Sequence, residues 1–377
     1  MDMTDEFQVS AGWKYEHRDL TKLYVLCNYW LDETCYLENG AGVVPSDEIS
    51  SENPLGLPPG LDESFISEDN VNHATDYGAY VQGVWDRGST RLNAGIRLDD
   101  NSDYGPVWNP RAASMVNPNA RVTYKLAYGE SFQEPSPKDL FGGWNGRLSN
   151  MDLVPEKARN LEFIFIHQGD LLMQDTSMYL AKYENAIAGA KNVGDREVFG
   201  IEYRARFRIP NWFENAADIS GEFNYTYTDS ISDQQFNNAL GIWETSRGET
   251  GDIAPHKAYF NLNVPFMGRW NANIGAKYVS ERELFSQNPL RADSNPDRVD
   301  SRKAEAFTTV DANLRYEGDR YEFGFRVENI FEEDYLLPGV ESASSGDNFE
   351  SDFDGFQNSL IPQVNTRVYS IVLTIKM

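Results

Sequence analysis

Histidines are the residues of this 377-residue chain best suited to acid–base or metal chemistry, and it has four of them. His17, His73, His167 and His256 are dispersed, and none has the spacing that zinc sites use along a sequence. The chain contains no G-x-S-x-G, phosphate-binding-loop or H-E-x-x-H motif. A Ser/His/Asp site assembled from distant strands stays open as an alternative. We nevertheless expect no catalytic residue, no metal site, no cofactor and no enzyme.

The two cysteines, Cys27 and Cys35, are the other reactive residues. Along one extended strand they would lie about 26 Å apart at roughly 3.3 Å per residue, too far for a disulfide. A bond between them therefore requires the chain to turn on the way. Whether they pair stays open, and their presence says little about the compartment.

Aromatic side chains in long predicted loops are the candidates for binding a ligand. Aromatic rings pack broadly against large ligands and favour partly buried sites. The alternative is that these rings pack within their own loops or lie at a membrane boundary. The five candidates are Phe132, Phe141, Trp144, Trp243 and Phe285.

The segment Phe307–Ile330 shows which kind of element carries the charged residues. It reads as two strands joined by a turn at Gly318–Asp319. Val310 and Leu314 alternate with polar residues such as Asp311. Because successive side chains of a strand point to opposite faces, each strand has one apolar and one polar face. This pattern fits both a soluble sandwich and a membrane wall around a wet lumen.

Arginines recur on the polar face of the predicted strands. Placing Arg204, Arg206 and Arg208 of one strand in a dry core would be prohibitive, which favours a hydrated or protein-plugged lumen. Such residues could contact a plug through charge-assisted hydrogen bonds, or pair with one another across neighbouring strands. The candidates for the plug-facing role are Arg97, Arg111, Glu202, Arg204, Arg206, Arg326 and Glu328.

Composition leaves a membrane barrel open. No run of about 18 apolar residues exists, so a transmembrane helix is excluded, whereas a membrane strand needs only alternate apolar residues. The net charge of −26 argues against nucleic acid as a partner. We expect an all-β antiparallel transmembrane barrel of about 15 strands, with short turns alternating strictly with long loops. The predicted long loops include Asp100–Val107, Glu184–Arg196 and Ser230–Pro255.

Five short stretches resemble, in the family's order, the barrel of TonB-dependent outer-membrane receptors. In NMDLVPEKARNLEF, Pro155, Glu156 and Lys157 match the family's NPDLKPEKSRNYE segment. In VENIFEEDY, Asn329 and Phe331 match its NLFDKDY ending, and we interpret these residues as shaping the end of a strand. The resemblance covers roughly residues 77–377. The five stretches are Asn109–Ala113, Tyr128–Gly143, Asn150–Phe163, Phe199–Phe207 and Val327–Tyr335.

This resemblance implies a 22-stranded barrel with a plugged lumen in the bacterial outer membrane. It implies active uptake of a siderophore, cobalamin or similar scarce nutrient, driven by the TonB–ExbB–ExbD system acting on the plug. The expected partners are outer-membrane lipid, a plug domain and a small-molecule ligand such as a ferric siderophore. The alternatives are a passive outer-membrane channel and a surface-binding structural β protein.

The chain departs from the family's pattern at both ends. We expect residues 1–377 to form one domain, the C-terminal portion of the barrel, without the plug, the TonB box and about seven strands of the family's 22. The first ten residues do not read as a signal peptide, and Met377 stands where an aromatic residue is usual. We therefore expect a fragment or a truncated gene product that neither closes into a barrel nor transports alone.

Overall fold

The computed structural model describes most of the chain outside the longest connections. No helix in this part is both long enough and apolar enough to cross a membrane. The described residues are 2–4, 6–21, 71–141, 150–188, 191–210, 212, 217–237, 240, 242–286, 288, 303–338, 360–363 and 367–376.

Twenty strands and one short helix, α1 (Pro137–Phe141), make up the regular structure of this described part. The strands of the first half are β1 (Asp2–Thr4), β2 (Phe7–Thr21), β3 (Val71–Arg87), β4 (Thr90–Asn101), β5 (Gly105–Asn119), β6 (Val122–Gln133), β7 (Glu156–Gln168), β8 (Leu172–Ala188), β9 (Lys191–Ile209) and β10 (Ile219–Asn237). Those of the second half are β11 (Ile242–Glu249), β12 (His256–Phe266), β13 (Trp270–Val279), β14 (Arg282–Glu283), β15 (Lys303–Ala304), β16 (Phe307–Glu317), β17 (Tyr321–Glu328), β18 (Tyr335–Pro338), β19 (Leu360–Gln363) and β20 (Val368–Ile375).

One antiparallel sheet of 16 strands dominates the molecule. Each long strand pairs with its neighbours along the chain, from β1 to β20, with β11 attached to β10 and two small ribbons, β14–β15 and β18–β19, beside the sheet. Within the described residues the first strands do not pair with β20, so the sheet stays open. The expected all-β antiparallel architecture, with about 15 strands that do not close on themselves, is confirmed.

Two neighbouring rows of cross-strand partners show that polar residues lie on one face of the sheet and apolar residues on the other. Residues directly opposite one another on paired strands point to the same face. One row crosses seven strands from β9 to β20 and is polar throughout: Arg208, Ser220, Asn263, Asn273, Asn313, Arg326 and Ser370. The next row, shifted by one residue, contains only apolar residues and glycine: Phe207, Gly221, Leu262, Ile274, Ala312, Val327 and Tyr369.

The apolar face lies open in the described part of the molecule. Ile274 and Tyr369 keep 44% and 60% of their surface exposed, so no second sheet covers them. A soluble sandwich would bury this face against another sheet. The arrangement therefore favours the membrane wall over the sandwich.

Aromatic residues mark both ends of the apolar face. One end of the sheet, here called the turn end, carries the tight turns, such as 267–269 between β12 and β13; the opposite end is called the loop end. Trp270 contacts Phe266 and Tyr316 near the turn end, with ring centroids 6.3 and 5.0 Å apart. Tyr278 lies on the same strand near the loop end, roughly 26 Å away at about 3.3 Å per residue. Two aromatic rows around an apolar band of this height are typical of barrel walls in membranes.

The polar face is concave. Arg18 on β2 forms an ion pair with Glu134, which directly follows β6, at 3.2 Å. In a flat sheet the four steps from β2 to β6, about 4.8 Å each, would separate these strands by roughly 19 Å. The sheet must therefore curve around this face. We call it the inner face and the apolar face the outer face.

Three predicted loops are wrong, because strands continue through them. Residues 184–196 form the ends of β8 and β9, joined over residues 189–190, and residues 230–255 contain the end of β10 and all of β11. The β4–β5 connection is only residues 102–104. The strict alternation of short turns and long loops therefore fails at these places. The reason is that charged side chains such as Lys182 and Asp195, 3.2 Å apart, pair on the outer face beyond its apolar band, where the backbone ladder continues.

Buried hydrophobic clusters lie at the loop end rather than along the sheet. Leu284, Ala304 and Leu360 form one cluster, and Ala254, Val279 and Phe307 form another, joined by Tyr335. These clusters hold the segments after β13 and β17 against the end of the sheet, so the loop end has a packed structure of its own.

Candidate functional site

Ion pairs between neighbouring strands occupy the inner face. Arg204 Nε on β9 lies 2.9 Å from Asp175 Oδ1 on β8, and Arg206 Nε lies 3.0 Å from Glu222 Oε2 on β10. Both pairs follow from the register, which sets Arg204 opposite Asp175 and Arg206 opposite Glu222. All four side chains remain partly exposed, so the inner face is a polar surface and not a packed core.

A recess of about 940 Å³ opens on the inner face of β2 to β6. Its floor is Asp99, whose side chain is only 1% exposed and accepts from Arg97 Nη2 at 2.6 Å. Lys14 Nζ lies 3.2 Å from Asp76 Oδ1 and 3.9 Å from Asp99 Oδ1. Lys14 on β2 and Arg97 on the strand of Asp99 thus place positive charge beside two buried carboxylates, which reduces the free-energy cost of burying them.

Tyr104 closes the recess at the loop end. Its hydroxyl donates to Glu134 Oε2 at 3.3 Å, and its ring lies 6.1 Å from that of Phe132. Burial, with Glu134 and Asp76 nearby, raises the pKa of the Tyr104 phenol. The phenol therefore stays protonated and acts as a hydrogen-bond donor at neutral pH.

A second cavity, of about 180 Å³, lies at the loop end of β8 to β11. Trp243 forms one wall, with its ring 5.4 Å from that of Phe236 and 5.9 Å from that of Phe285. Arg196 and Tyr183 line the same cavity, with the guanidinium of Arg196 over the ring of Tyr183 at 4.3 Å from its centroid. A cation, several aromatic rings and neighbouring amides can together bind a large, partly anionic molecule.

The backbone next to Phe285 explains why its ring meets Trp243. Asp252 accepts the backbone N–H of Phe285 through Oδ1 at 3.1 Å and donates its own N–H to the Glu283 carbonyl at 2.7 Å. Asp252 has a φ of 66°, which turns the chain toward this segment. Gly251 makes the close approach possible, since a Cβ there would overlap the backbone of Leu284.

The residues predicted from sequence fall into separate groups. Arg97, Arg111 and Phe132 line the same recess, and Trp243 and Phe285 share the second cavity. Phe141 is the last residue of α1, and Trp144 lies outside the described residues. The five aromatic candidates therefore do not form one site.

The remaining charged candidates occupy the inner face of two strands. Glu202, Arg204 and Arg206 belong to β9, whereas Arg326 and Glu328 belong to β17, where Arg326 Nε lies 3.1 Å from Glu328 Oε1. Arg204 and Arg206 thus form ion pairs with residues of neighbouring strands, which was the alternative to contact with a plug. Such pairs in a wet interior leave donors and acceptors that can still bind a polar partner.

Sequence reasoning missed the residues that complete these groups. Lys14, Asp76 and Asp99 lie in the recess, and Tyr183 and Arg196 lie in the second cavity. The period-two pattern places each of them on the inner face. Their assembly depends on strand register, which no short-range pattern specifies.

Asn329 proves to be structural. It has a φ of 47° at the end of β17, and its side chain accepts from the Glu333 N–H at 3.0 Å and donates to the Glu333 carbonyl at 2.9 Å. Its own N–H donates to Asp311 at 2.8 Å. Asparagine tolerates this left-handed conformation better than most residues, which explains its place in the VENIFEEDY motif.

Comparison with known proteins identifies the barrel. A family model described as "TonB dependent receptor-like, beta-barrel" matches residues 29–330. The vitamin B12 transporter BtuB of Vibrio cholerae serotype O1 is 24% identical over 289 residues, which cover 73% of this chain and 42% of that protein. The chain thus spans less than half the length of the curated relatives that it matches.

Solved structures agree with this match at the level of the fold. The FrpB iron transporter from Neisseria meningitidis superposes with a TM-score of 0.55 at 14% identity, covering 98% of this chain and 52% of that one. The siderophore receptor PirA from Acinetobacter baumannii gives 0.56 at 15% identity, covering 97% and 52%. At these identities the likeness concerns the fold alone.

Proposed function

Because the chain belongs to the TonB-dependent receptor-like β-barrel family, we propose that it forms part of the wall of an outer-membrane receptor for active uptake. The cargo class is a siderophore, cobalamin or a similar scarce nutrient. The observation that carries this proposal is the pair of adjacent rows across β9 to β20, one polar and one apolar. Lipid contacts the outer face, and water and protein contact the inner face.

The inner face supports a plug as the partner. Arg97, Arg111 and Arg326 have half-exposed or exposed side chains there, and each offers donors for carboxylates or carbonyls of a protein segment. The TonB–ExbB–ExbD system acts on such a plug rather than on the wall. In this arrangement the chain supplies the surface against which the plug moves, and we assign no catalytic step to it.

The loop-end cavity supports the ligand side of the proposal. Trp243, Phe285 and Arg196 line the loop-end cavity, which in this proposal faces the outside medium. This space is smaller than the roughly 300–1,000 Å³ of whole ligand pockets. It therefore forms one side of a binding site that other parts of a receptor complete.

Uptake by cells tests the function. Deleting the gene that encodes the chain should abolish accumulation of at least one of labelled cyanocobalamin, a catecholate ferric siderophore and a hydroxamate ferric siderophore. Restoring the gene should restore accumulation, and a protonophore should block it. Unchanged uptake of all three would contradict the proposal, whereas gene-dependent uptake that resists the protonophore would favour the passive channel.

Cysteine labelling tests the wall itself. In a Cys27→Ser/Cys35→Ser background, Asn313→Cys on the inner face should react with a water-soluble maleimide in lipid bilayers. Ala312→Cys, its neighbour on the outer face, should be protected, because the two positions point to opposite faces. Equal labelling of both positions would exclude a lipid-facing outer face.

A further inference from the structure

Two histidines and one aspartate converge at the loop end of β2 and β3. His73 on β3 lies directly opposite Asp19 on β2, and His17 lies two residues before Asp19. The Nδ1 atom of His73 is 2.7 Å from Asp19 Oδ1, and the Nε2 atom of His17 is 3.0 Å from the same oxygen. One ligand atom from each residue lies within 4.8 Å of the others.

The cluster lies on the outer face and not in the interior. On β2, His17 and Asp19 share their face with Trp13 and Tyr15, which are 82% and 56% exposed. Tyr15 contacts Tyr77 of β3 with ring centroids 5.2 Å apart, directly below the histidines. The cluster therefore lies beyond Tyr15 and Tyr77 toward the loop end, with its three side chains exposed and apart from the inner face.

We propose that His17, Asp19 and His73 form a binding site for one divalent transition-metal ion, such as Zn²⁺. Two imidazole nitrogens and one carboxylate oxygen are a donor set that zinc, copper and nickel accept. Around a tetrahedral zinc ion with bonds of about 2.0–2.1 Å, neighbouring ligand atoms are roughly 3.3 Å apart. The distances of 2.7 and 3.0 Å need to open only slightly, and all three side chains are exposed enough to rotate.

The surroundings of His17 and His73 suit metal binding. The Nδ1 atom of His17 lies 3.5 Å from Thr75 Oγ1, so a proton on Nδ1 leaves Nε2 free for the metal. The two imidazole rings are nearly parallel, at 9°, with centroids 6.1 Å apart. In-plane lone pairs of parallel rings do not meet, so one exposed imidazole must rotate before both nitrogens, now 3.0 and 2.7 Å from Asp19 Oδ1, bind the same ion. A fourth position then remains open to water.

A metal at this point would join β2 to β3 beside the connection of residues 22–70. The last pair of the two strands is Thr21 with Val71, two residues beyond the Asp19–His73 pair. An ion bound by both strands would restrain the distance between the end of β2 and the start of β3. This role needs neither a plug nor transport and stands independently of the proposed function.

Zinc titration of the full chain tests the proposal. The tag-free protein in detergent micelles should bind one Zn²⁺ by calorimetry, and His17→Gln and His73→Gln should each weaken binding at least tenfold. His256→Gln is the matched control, since His256 is an exposed outer-face histidine that contacts Tyr225 instead. Cys27→Ser/Cys35→Ser tests whether the thiols bind the ion, and it should leave the affinity unchanged.

The selectivity of the site among metal ions, and the number of nitrogen ligands to the bound ion, provide a second measurement. Ca²⁺ and Mg²⁺ should not compete with Zn²⁺, because they favour oxygen ligands. Cu²⁺ in place of Zn²⁺ should show hyperfine coupling to two nitrogens by electron paramagnetic resonance, reduced to one in either histidine variant. The proposal is overturned if both histidine variants bind zinc as the wild type does, if the cysteine variant alone loses it, or if Ca²⁺ competes equally.

Discussion

The ring of Trp243 lies 5.9 Å from the ring of Phe285, centroid to centroid, at the loop end of the sheet. Trp243 belongs to β11, whereas Phe285 follows β14, so two separate excursions of the chain meet at this contact. Together with Arg196 over Tyr183, the contact forms a group of ligand-suited residues that combines aromatic rings with a cation at this end.

Removing the Trp243 ring should weaken ligand binding. Trp243→Ala removes one aromatic wall of the cavity and should lower affinity about tenfold, since an aromatic contact with a ligand contributes about 0.5–1.5 kcal/mol beyond its buried area. Binding of cyanocobalamin and of two ferric siderophores to cells measures this. Trp270→Ala, at the turn end of the outer face, is the control and should leave affinity unchanged; equal losses would show a general folding defect instead.

Gly251 should be important for stability because it lets the backbone approach that of Leu284. Gly251→Ala places a Cβ against the Leu284 backbone, and the resulting displacement should cost about 1–3 kcal/mol of unfolding free energy. Urea unfolding in lipid vesicles measures it. At Gly129 an added Cβ meets nothing within 4 Å, so Gly129→Ala should change stability by less than about 0.5 kcal/mol. Similar values for the two variants would refute the close approach.

A charged side chain at the middle of the outer face should lower the unfolding free energy far more than one on the inner face. Ile274 lies midway between Trp270 and Tyr278 on β13, and Ile274→Arg should destabilise the protein by about 2–4 kcal/mol in lipid. Asn273→Arg, one residue away on the inner face, should cost less than about 1 kcal/mol. The difference between the two unfolding free energies is the test, and a reversed order would mean that the faces are assigned wrongly.

Asn329 should stabilise the fold in two ways that can be measured separately: by tolerating a left-handed backbone conformation and by forming two side-chain hydrogen bonds. Asn329→Gly keeps the left-handed conformation and loses the two side-chain hydrogen bonds to Glu333, at about 0.5–1.5 kcal/mol each. Asn329→Ala loses the bonds and adds backbone strain, so it should unfold more easily still. Thermal unfolding of the three proteins measures the order. If alanine were as stable as glycine, strain at this position would play no part.

The buried carboxylate of Asp99 should contribute more to the free energy of unfolding than the half-exposed carboxylate of Asp175 on β8. Asp99→Ala leaves Arg97 and Lys14 without their shared partner and should cost about 1–3 kcal/mol. Asp175→Ala removes a half-exposed partner of Arg204 and should cost less than about 1 kcal/mol. High salt should reduce the second effect more than the first, and unfolding at two salt concentrations checks both.

Local alternation was enough to predict the faces of the sheet. Arg97, Arg111, Glu202 and Arg326 all lie on the inner face, as their positions between apolar neighbours indicated. The VENIFEEDY motif predicted a structural Asn329 at the end of a strand, and its φ and hydrogen bonds agree. Each of these features depends on a residue and its nearest neighbours in the chain.

Local patterns could not predict where strands end when they leave the apolar band. Residues 184–196 look like a loop because they lack a regular alternation of polar and apolar residues and contain Gly194, yet the described residues among them form the paired ends of β8 and β9, beside ion pairs such as Lys182–Asp195. A strand whose residues do not alternate between polar and apolar is indistinguishable from a loop by periodicity alone. The ion pairs that stabilise this extension become visible only once the partners are in register.

The sequence by itself determined the all-β class, the two faces and the family, because a strand's side chains alternate with a period of two whatever it pairs with. Only the tertiary structure decided which residues meet. His73 reaches Asp19, and Trp243 reaches Phe285, through strand register and loop packing over more than 40 residues. Register depends on how the side chains of two separate strands match and on the geometry of the connection between them, so neither strand specifies it alone.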